Sequence, residues 1–137
     1  MKNTIIDSGP IIALFDKDDK YHKKTLEFMH SFDGKLISTW AVITEVTHML
    51  SFNLTVQLNF LKWVEMEAIT IYQIEQSELT AMIKMMQKYS DIPMDLADST
   101  LMYVAQKENI KDIISIDGDF DIYRTIKKQS LNNLLRV

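Results

Sequence analysis

Four short runs with apolar centres, at 3–6, 35–38, 69–72 and 113–116, are separated by stretches long enough for helices. Runs of this length with no polar alternation suit strands buried on both faces, and helix-length connections between them indicate βαβ units. Helical spacing is expected over about 10–15, where Pro10 suits the first turn, and over 21–31, with Leu26, Phe28 and Met29 inward. It recurs at 40–50, 53–66, 75–89 and 95–108, and the tail at 131–137 can supply a fifth, edge strand. The expectation is an α/β fold, a parallel four- to five-stranded sheet sandwiched between helices on both faces. No repeat, low-complexity tract or linker interrupts the pattern, so residues 1–137 read as a single domain.

Composition narrows the chemistry. There is no cysteine, which excludes a thiol nucleophile, disulfides and thiolate metal sites. Fifteen Lys and Arg stand against nineteen Asp and Glu, a net charge of −4. A basic footprint over the whole surface, of the kind that coats nucleic acid, is absent. No apolar run approaches the ~20 residues that cross a bilayer. The N-terminus meets Asp7 before any signal-peptide core could form, so no membrane association and a cytoplasmic location are expected.

The acids fall at particular places. Asp7 directly follows the first run and Asp117 the fourth, and in open α/β sheets ligands bind beyond the carboxyl ends of the strands. Either Asp alone could equally be a turn former. Glu45 shares a helical face with Val42, Val46 and Met49, where a carboxylate is costly unless paired, protonated or cation-bound; the plain alternative is an acid at the edge of the stripe. Asp98 shares a face with Leu101, Met102 and Ala105, and also suits a helix first turn behind Asp95, the better N-cap. If these four converge, two carboxylates ~4 Å apart repel by about 4 kcal/mol at an effective dielectric of 20. Such a cluster needs a divalent cation or a retained proton. Oxygen-only ligands suit Mg²⁺ or Mn²⁺, and hard cations on carboxylates are the machinery of phosphodiester hydrolysis.

Several segments resemble the PIN-domain family. Ile5-Ile6-Asp7-Ser8-Gly9-Pro10-Ile11-Ile12-Ala13-Leu14 is similar to its opening, and Asp19-Lys20-Tyr21-His22 to the stretch that often follows. Thr44-Glu45-Val46 resembles the segment of the second acid and Asp95-Leu96-Ala97-Asp98-Ser99-Thr100-Leu101 that of the third. Ser115-Ile116-Asp117-Gly118-Asp119-Phe120-Asp121-Ile122-Tyr123-Arg124 resembles that of the fourth. Ser115 stands where the family often has Thr, and Gly118 where it is frequently basic. The resemblance implies an Mg²⁺- or Mn²⁺-dependent ribonuclease with Asp7, Glu45, Asp98 and Asp117 as metal ligands and catalytic residues. By the same resemblance it would cut single-stranded RNA by in-line attack of water, leaving a 5′-phosphate and a 3′-hydroxyl. Asp95, Asp119, Ser8 and Ser115 would support the ligands. The resemblance further implies a VapC-like toxin of a toxin–antitoxin pair, with a cognate antitoxin protein and a homodimeric state. The alternative is a non-catalytic PIN scaffold binding protein or RNA.

The remaining polar residues read more plainly. Arg124 could touch RNA phosphate or brace a carboxylate. His48 forms a single Glu-x-x-His and, lacking a second copy, is a surface or core residue rather than a ligand. His22 and His30 are expected in solvent. Met82, Met85 and Met86 form a packing face or a dimer surface, and Trp40 and Trp63 are core or interface. Ser8 has no adjacent base to make it a nucleophile.

Overall fold

In a computed structural model describing residues 2–137, the chain forms five strands and six α-helices. The strands are β1 (Asn3–Ile6), β2 (Lys35–Ser38), β3 (Ile69–Ile71), β4 (Asp112–Ile114) and β5 (Asn132–Asn133). The helices are α1 (Ser8–Phe15), α2 (His22–Ser31), α3 (Trp40–Met49), α4 (Leu54–Glu65), α5 (Leu79–Lys88) and α6 (Leu96–Lys107). All strand pairings are parallel, in the order β3-β2-β1-β4-β5. Thr4, Ile5 and Ile6 are consecutive and all buried. Successive strand residues face opposite sides, so both faces of the central strand are covered. The chain winds outward from β1 to β2 and β3, then returns to place β4 on the other flank of β1. The strand order therefore reverses between β1 and β4.

The core is aliphatic around Ile5, Ile6, Ile113 and Ile114, with Ile11, Val42, Val46, Leu101, Met102 and Val104 from the helices. Each is fully buried, and a large-to-small change at such a site typically costs about 2–5 kcal/mol. Phe15 meets Phe60 and Trp63 edge-on at 5.5 and 5.3 Å, tying α1 to α4. After α6, Asn109 turns left-handed (φ 53°). That lets the Ile110 N–H reach the Ala105 carbonyl at 2.8 Å, closing the helix and aiming the chain into β4.

Several expected boundaries move. β4 begins at Asp112 and ends at Ile114, two residues earlier than the apolar run at 113–116 suggests. A buried acid in a strand is tolerated because Lys2 Nζ lies 2.7 Å from Asp112 Oδ2 and Asn132 Nδ2 donates to Oδ1 at 3.3 Å. Beyond Ile114 the ladder is replaced by a side chain: Asn133 Oδ1 accepts from the Ser115 N–H (3.1 Å) and Asn133 Nδ2 donates to the Ser115 carbonyl (2.9 Å). β5 is only two residues long for the same reason. The expected helix at 75–89 is split, because the reciprocal capping of Glu75 and Glu78 tightens its first turn to a 3₁₀ turn (Gln76–Glu78). On α2, Leu26 is exposed and Thr25 takes the buried position. On α3 the buried row runs through Val42, Val46 and Leu50, so Met49 is 55% exposed. Met82 and Met85 pack inward, with Met86 partly buried beside them. Trp40 is half exposed, whereas Trp63 packs against the core.

Candidate active site

β1 ends at Ile6, so Asp7 begins the turn into α1 at the carboxyl edge of the sheet. It occupies the N-cap position, where an Asp would ordinarily accept from the first helical turn, yet its side chain makes no such cap bond. Only 4% of Asp7 is exposed, and its Oδ2 lies 3.2 Å from Ser115 Oγ. The same hydroxyl is 3.3 Å from the Asp117 carbonyl and, with one proton, serves one acceptor at a time. Ser8 lines the pocket and assists Asp7 through its backbone N–H.

Around Asp7 lies a pocket of about 460 Å³ whose walls include Glu45, Asp95, Asp98, Asp117 and Asp119. Counting Asp7, four parts of the chain supply these acids. Glu45 sits half-buried on the second turn of α3, at the edge of its buried row. Asp98 is on the first turn of α6, held there by Asp95, whose Oδ1 accepts from the Asp98 N–H at 2.8 Å. Asp117 and Asp119 lie on the turn that follows β4, with the Asp119 N–H donating to Asp117 Oδ1 at 2.9 Å. Asp117 is therefore three residues beyond the strand, not directly after it as expected. Ile12, Met49, Pro93 and Ile116 supply apolar walls. The pocket opens where the strand order reverses, the place at which open α/β sheets bind ligands.

The electrostatics follow from that crowding. Burial is the main cause that lifts Asp7 to about 7, with Glu45 and Asp117 adding to it while the Ser8 backbone N–H and the Ser115 hydroxyl work against it. Asp98 also rises to about 7, first from burial, then from the charges of Asp95 and Asp7; the Tyr123 hydroxyl, which donates to Asp98 Oδ2 at 3.1 Å, opposes the rise. Asp119 is raised as well, by desolvation and then by Asp117. No Lys or Arg is among the lining residues. Among the described residues no three acids or histidines are closed into a ready-made cage. Mg²⁺ does not require one, since it keeps several waters and is commonly held by one or two carboxylates. The donor set is all oxygen, with one acid buried and destabilised in its charged form, and that fits a hard divalent cation.

Tyr123 is the site residue that sequence reasoning missed. It is fully buried, packs edge-on against Tyr89 and Phe120, and its hydroxyl holds the third acid. Its only signal in the sequence is its place at the end of the segment bearing the fourth acid. Replacing Tyr123 with Phe should weaken cation binding severalfold and cost about 1 kcal/mol of stability, checked by calorimetric titration and urea unfolding. Arg124 is not at this pocket. Its Nη1 donates to the Asp121 and Tyr123 carbonyls (2.6 and 2.9 Å), so it braces backbone rather than a carboxylate. His48 and His30 are exposed, whereas His22, expected in solvent, is half-buried with Nδ1 2.6 Å from the Ala13 carbonyl.

No protein-family model matches the chain, and no curated protein matches it in sequence. Solved structures do match. VapC20 of Mycobacterium tuberculosis, a toxin that cleaves the sarcin-ricin loop, superposes with a TM-score of 0.78 over 87% of this chain and 93% of its own, at 14% identity. VapBC2 of Rickettsia felis, solved bound to a DNA fragment from its promoter, gives 0.64 over 96% of this chain and 98% of that one, at 12% identity. The chain shares the fold of these two VapC structures. At these identities the backbone is shared and most side chains are not, so the VapC-like frame speaks for architecture. The chemistry has to be argued from the acids themselves.

Proposed function

We propose that this chain is a Mg²⁺- or Mn²⁺-dependent endoribonuclease acting on single-stranded RNA. The observation that carries the proposal is the convergence of Asp7, Glu45, Asp98 and Asp117 from four separate elements on one pocket at the reversal in strand order. A nearly fully buried carboxylate that neither caps its helix nor pairs with Lys or Arg is costly to the fold, and a bound cation would compensate that cost. These acids would hold the ion, one or two directly and the others through its waters, and when bound it would supply positive charge to the scissile phosphate and acidify a water.

The chain's own groups set up the rest. Ser115 orients Asp7, Asp95 fixes the first turn that carries Asp98, and the Asp119 N–H steadies Asp117. Tyr123 holds Asp98 from beneath. The rise in the Asp7 and Asp98 pKa values keeps a proton in the empty site and yields it to a cation, so repulsion is relieved in either condition.

We read the chain further as the toxin half of a toxin–antitoxin pair, a role for which the VapC20 and VapBC2 likenesses are the support. An antitoxin protein and a second copy of the chain are the expected partners. The outward side of α4 offers Leu54, Leu58 and Leu61, exposed at i, i+4 and i+7, with Phe52 61% exposed just before them. A continuous apolar stripe of this kind commonly marks a protein contact.

The test is cleavage of labelled single-stranded RNA in Mn²⁺. Glu45→Gln should lower the rate by at least about a hundredfold, since it removes a carboxylate that would hold the cation. His48→Ala should leave it within about twofold. Loss of activity on His48→Ala alone would sink the assigned ligand set.

A further inference from the structure

A second, roomier concavity of about 620 Å³ lies between α5, α6 and the 124–126 loop, apart from the acidic pocket. Its floor is apolar, with Ala81, Met85, Tyr103 and Ile126, and Ile126 is 69% exposed. Its walls carry Lys84, Lys88 and Arg124. Lys84 and Lys88 stand one turn apart on α5, and neither they nor Arg124 form an ion pair among the described residues. The one acid there, Glu78, is already satisfied by Lys107 at 2.7 Å and by the Tyr103 hydroxyl. Asp121, which could have neutralised Arg124, lies 3.5 Å from Arg136 instead. In a chain of net charge −4, this groove is a local surplus of three fixed positive charges over an apolar bed.

Its position relative to the acids is set by one side chain. Tyr123 bonds Asp98 through its hydroxyl, and the next residue, Arg124, lines the groove. The Arg124 N–H donates to Tyr89 Oη at 2.8 Å, and Tyr89 directly follows Lys88. The two concavities therefore flank the Tyr89–Tyr123 pair. Two carbonyls hold the guanidinium of Arg124 through Nη1 and leave Nη2 and Nε for an anion.

We propose that this groove seats the RNA strand beside the cleaved bond, its phosphates on Lys84, Lys88 and Arg124 and one unstacked base on the floor of Met85, Tyr103 and Ile126. Stacking or apolar contact to a base, combined with cations on the backbone, is how single strands are held without reading sequence. The choice of RNA over another polyanion rests on the nuclease reading; the charge and shape of the groove do not.

The experiment measures fluorescence anisotropy of a short labelled oligouridylate in EDTA, where cutting is suppressed. Lys84→Gln/Lys88→Gln, both exposed and outside the core, should weaken binding about tenfold. The slope of log affinity against log salt should drop by about 0.7 for each phosphate that the variant no longer neutralises. Arg124→Gln should act in the same direction. Removing the bases from the oligonucleotide should cost the wild type about tenfold or more, and should cost Ala81→Trp, whose indole fills the floor, nothing further. In Mn²⁺ the lysine variant should raise KM and leave kcat within about twofold. Wild-type affinity and salt slope in the lysine variant, or displacement of RNA by polyglutamate as readily as by RNA itself, would overturn the proposal. A wild type that binds through the groove and cuts nothing would overturn the nuclease reading instead and leave the groove standing.

Discussion

Asp7→Asn should abolish RNA cleavage and at the same time make the protein more stable. Asp7 has an ordinary pKa of 3.8 and is lifted to about 7 in the fold, chiefly by burial. Between those values the native chain holds a proton that the unfolded chain has released, so wild-type stability falls as pH rises through that window and levels off above it. At pH 8 without metal the ionised group costs the fold up to about 4 kcal/mol, and a neutral amide avoids that cost. Partial relaxation of the neighbours reduces the gain to about 2–4 kcal/mol. The advantage of the variant should shrink below pH 7 and vanish near pH 4, where both states of the wild type are protonated. Urea unfolding in EDTA at several pH values checks this, with a cleavage assay alongside. Unchanged stability at pH 8 would mean that Asp7 carries no such strain.

Divalent cations should reverse the same penalty. A hundredfold excess of Mn²⁺ over its Kd stabilises the folded state by about 2.7 kcal/mol. For a chain of 137 residues that corresponds to roughly 8 °C in melting temperature. The increment should be largest at pH 8 and fade below pH 6, because Asp7 and Asp98 then hold protons that the ion must displace. Asp7→Asn and Glu45→Gln should each lose most of it. Identical melting curves in Mn²⁺ and EDTA at pH 8 would remove the basis for a metal site.

Much of this architecture is legible in the amino-acid order. Uninterrupted apolar runs between helix-length segments suffice for a parallel sheet, and acids at strand ends and on buried helical faces mark themselves by their cost. Asp7, Glu45, Asp98 and Asp117 stand out for that reason, and all four line one pocket. What sequence spacing does not convey is compensation at a distance. Asp112 reads as a break before a strand, yet it lies inside one because Lys2, from the other end of the chain, meets it. Ser115 reads as strand, yet the Asn133 amide takes its backbone bonds. Met49 matches the helical spacing of the inward row as well as Leu50 does, and only the packing of α3 distinguishes them. Tyr123 and the cationic groove depend on α5, α6 and the 124–126 loop meeting, which no local pattern encodes.

The central placement of β1 has a consequence for synthesis. The first strand off the ribosome finds β2 within a few dozen residues, but its other neighbour, β4, is encoded near the far end, and Ser115 reaches Asp7 across 108 positions. Asp7 and Asp117 cannot meet until the chain has grown past α6 and β4 to Asp117 itself. A nascent or prematurely terminated chain carries the first acids without the last, so the pocket around Asp7 can close only after Asp117 has been added to the chain.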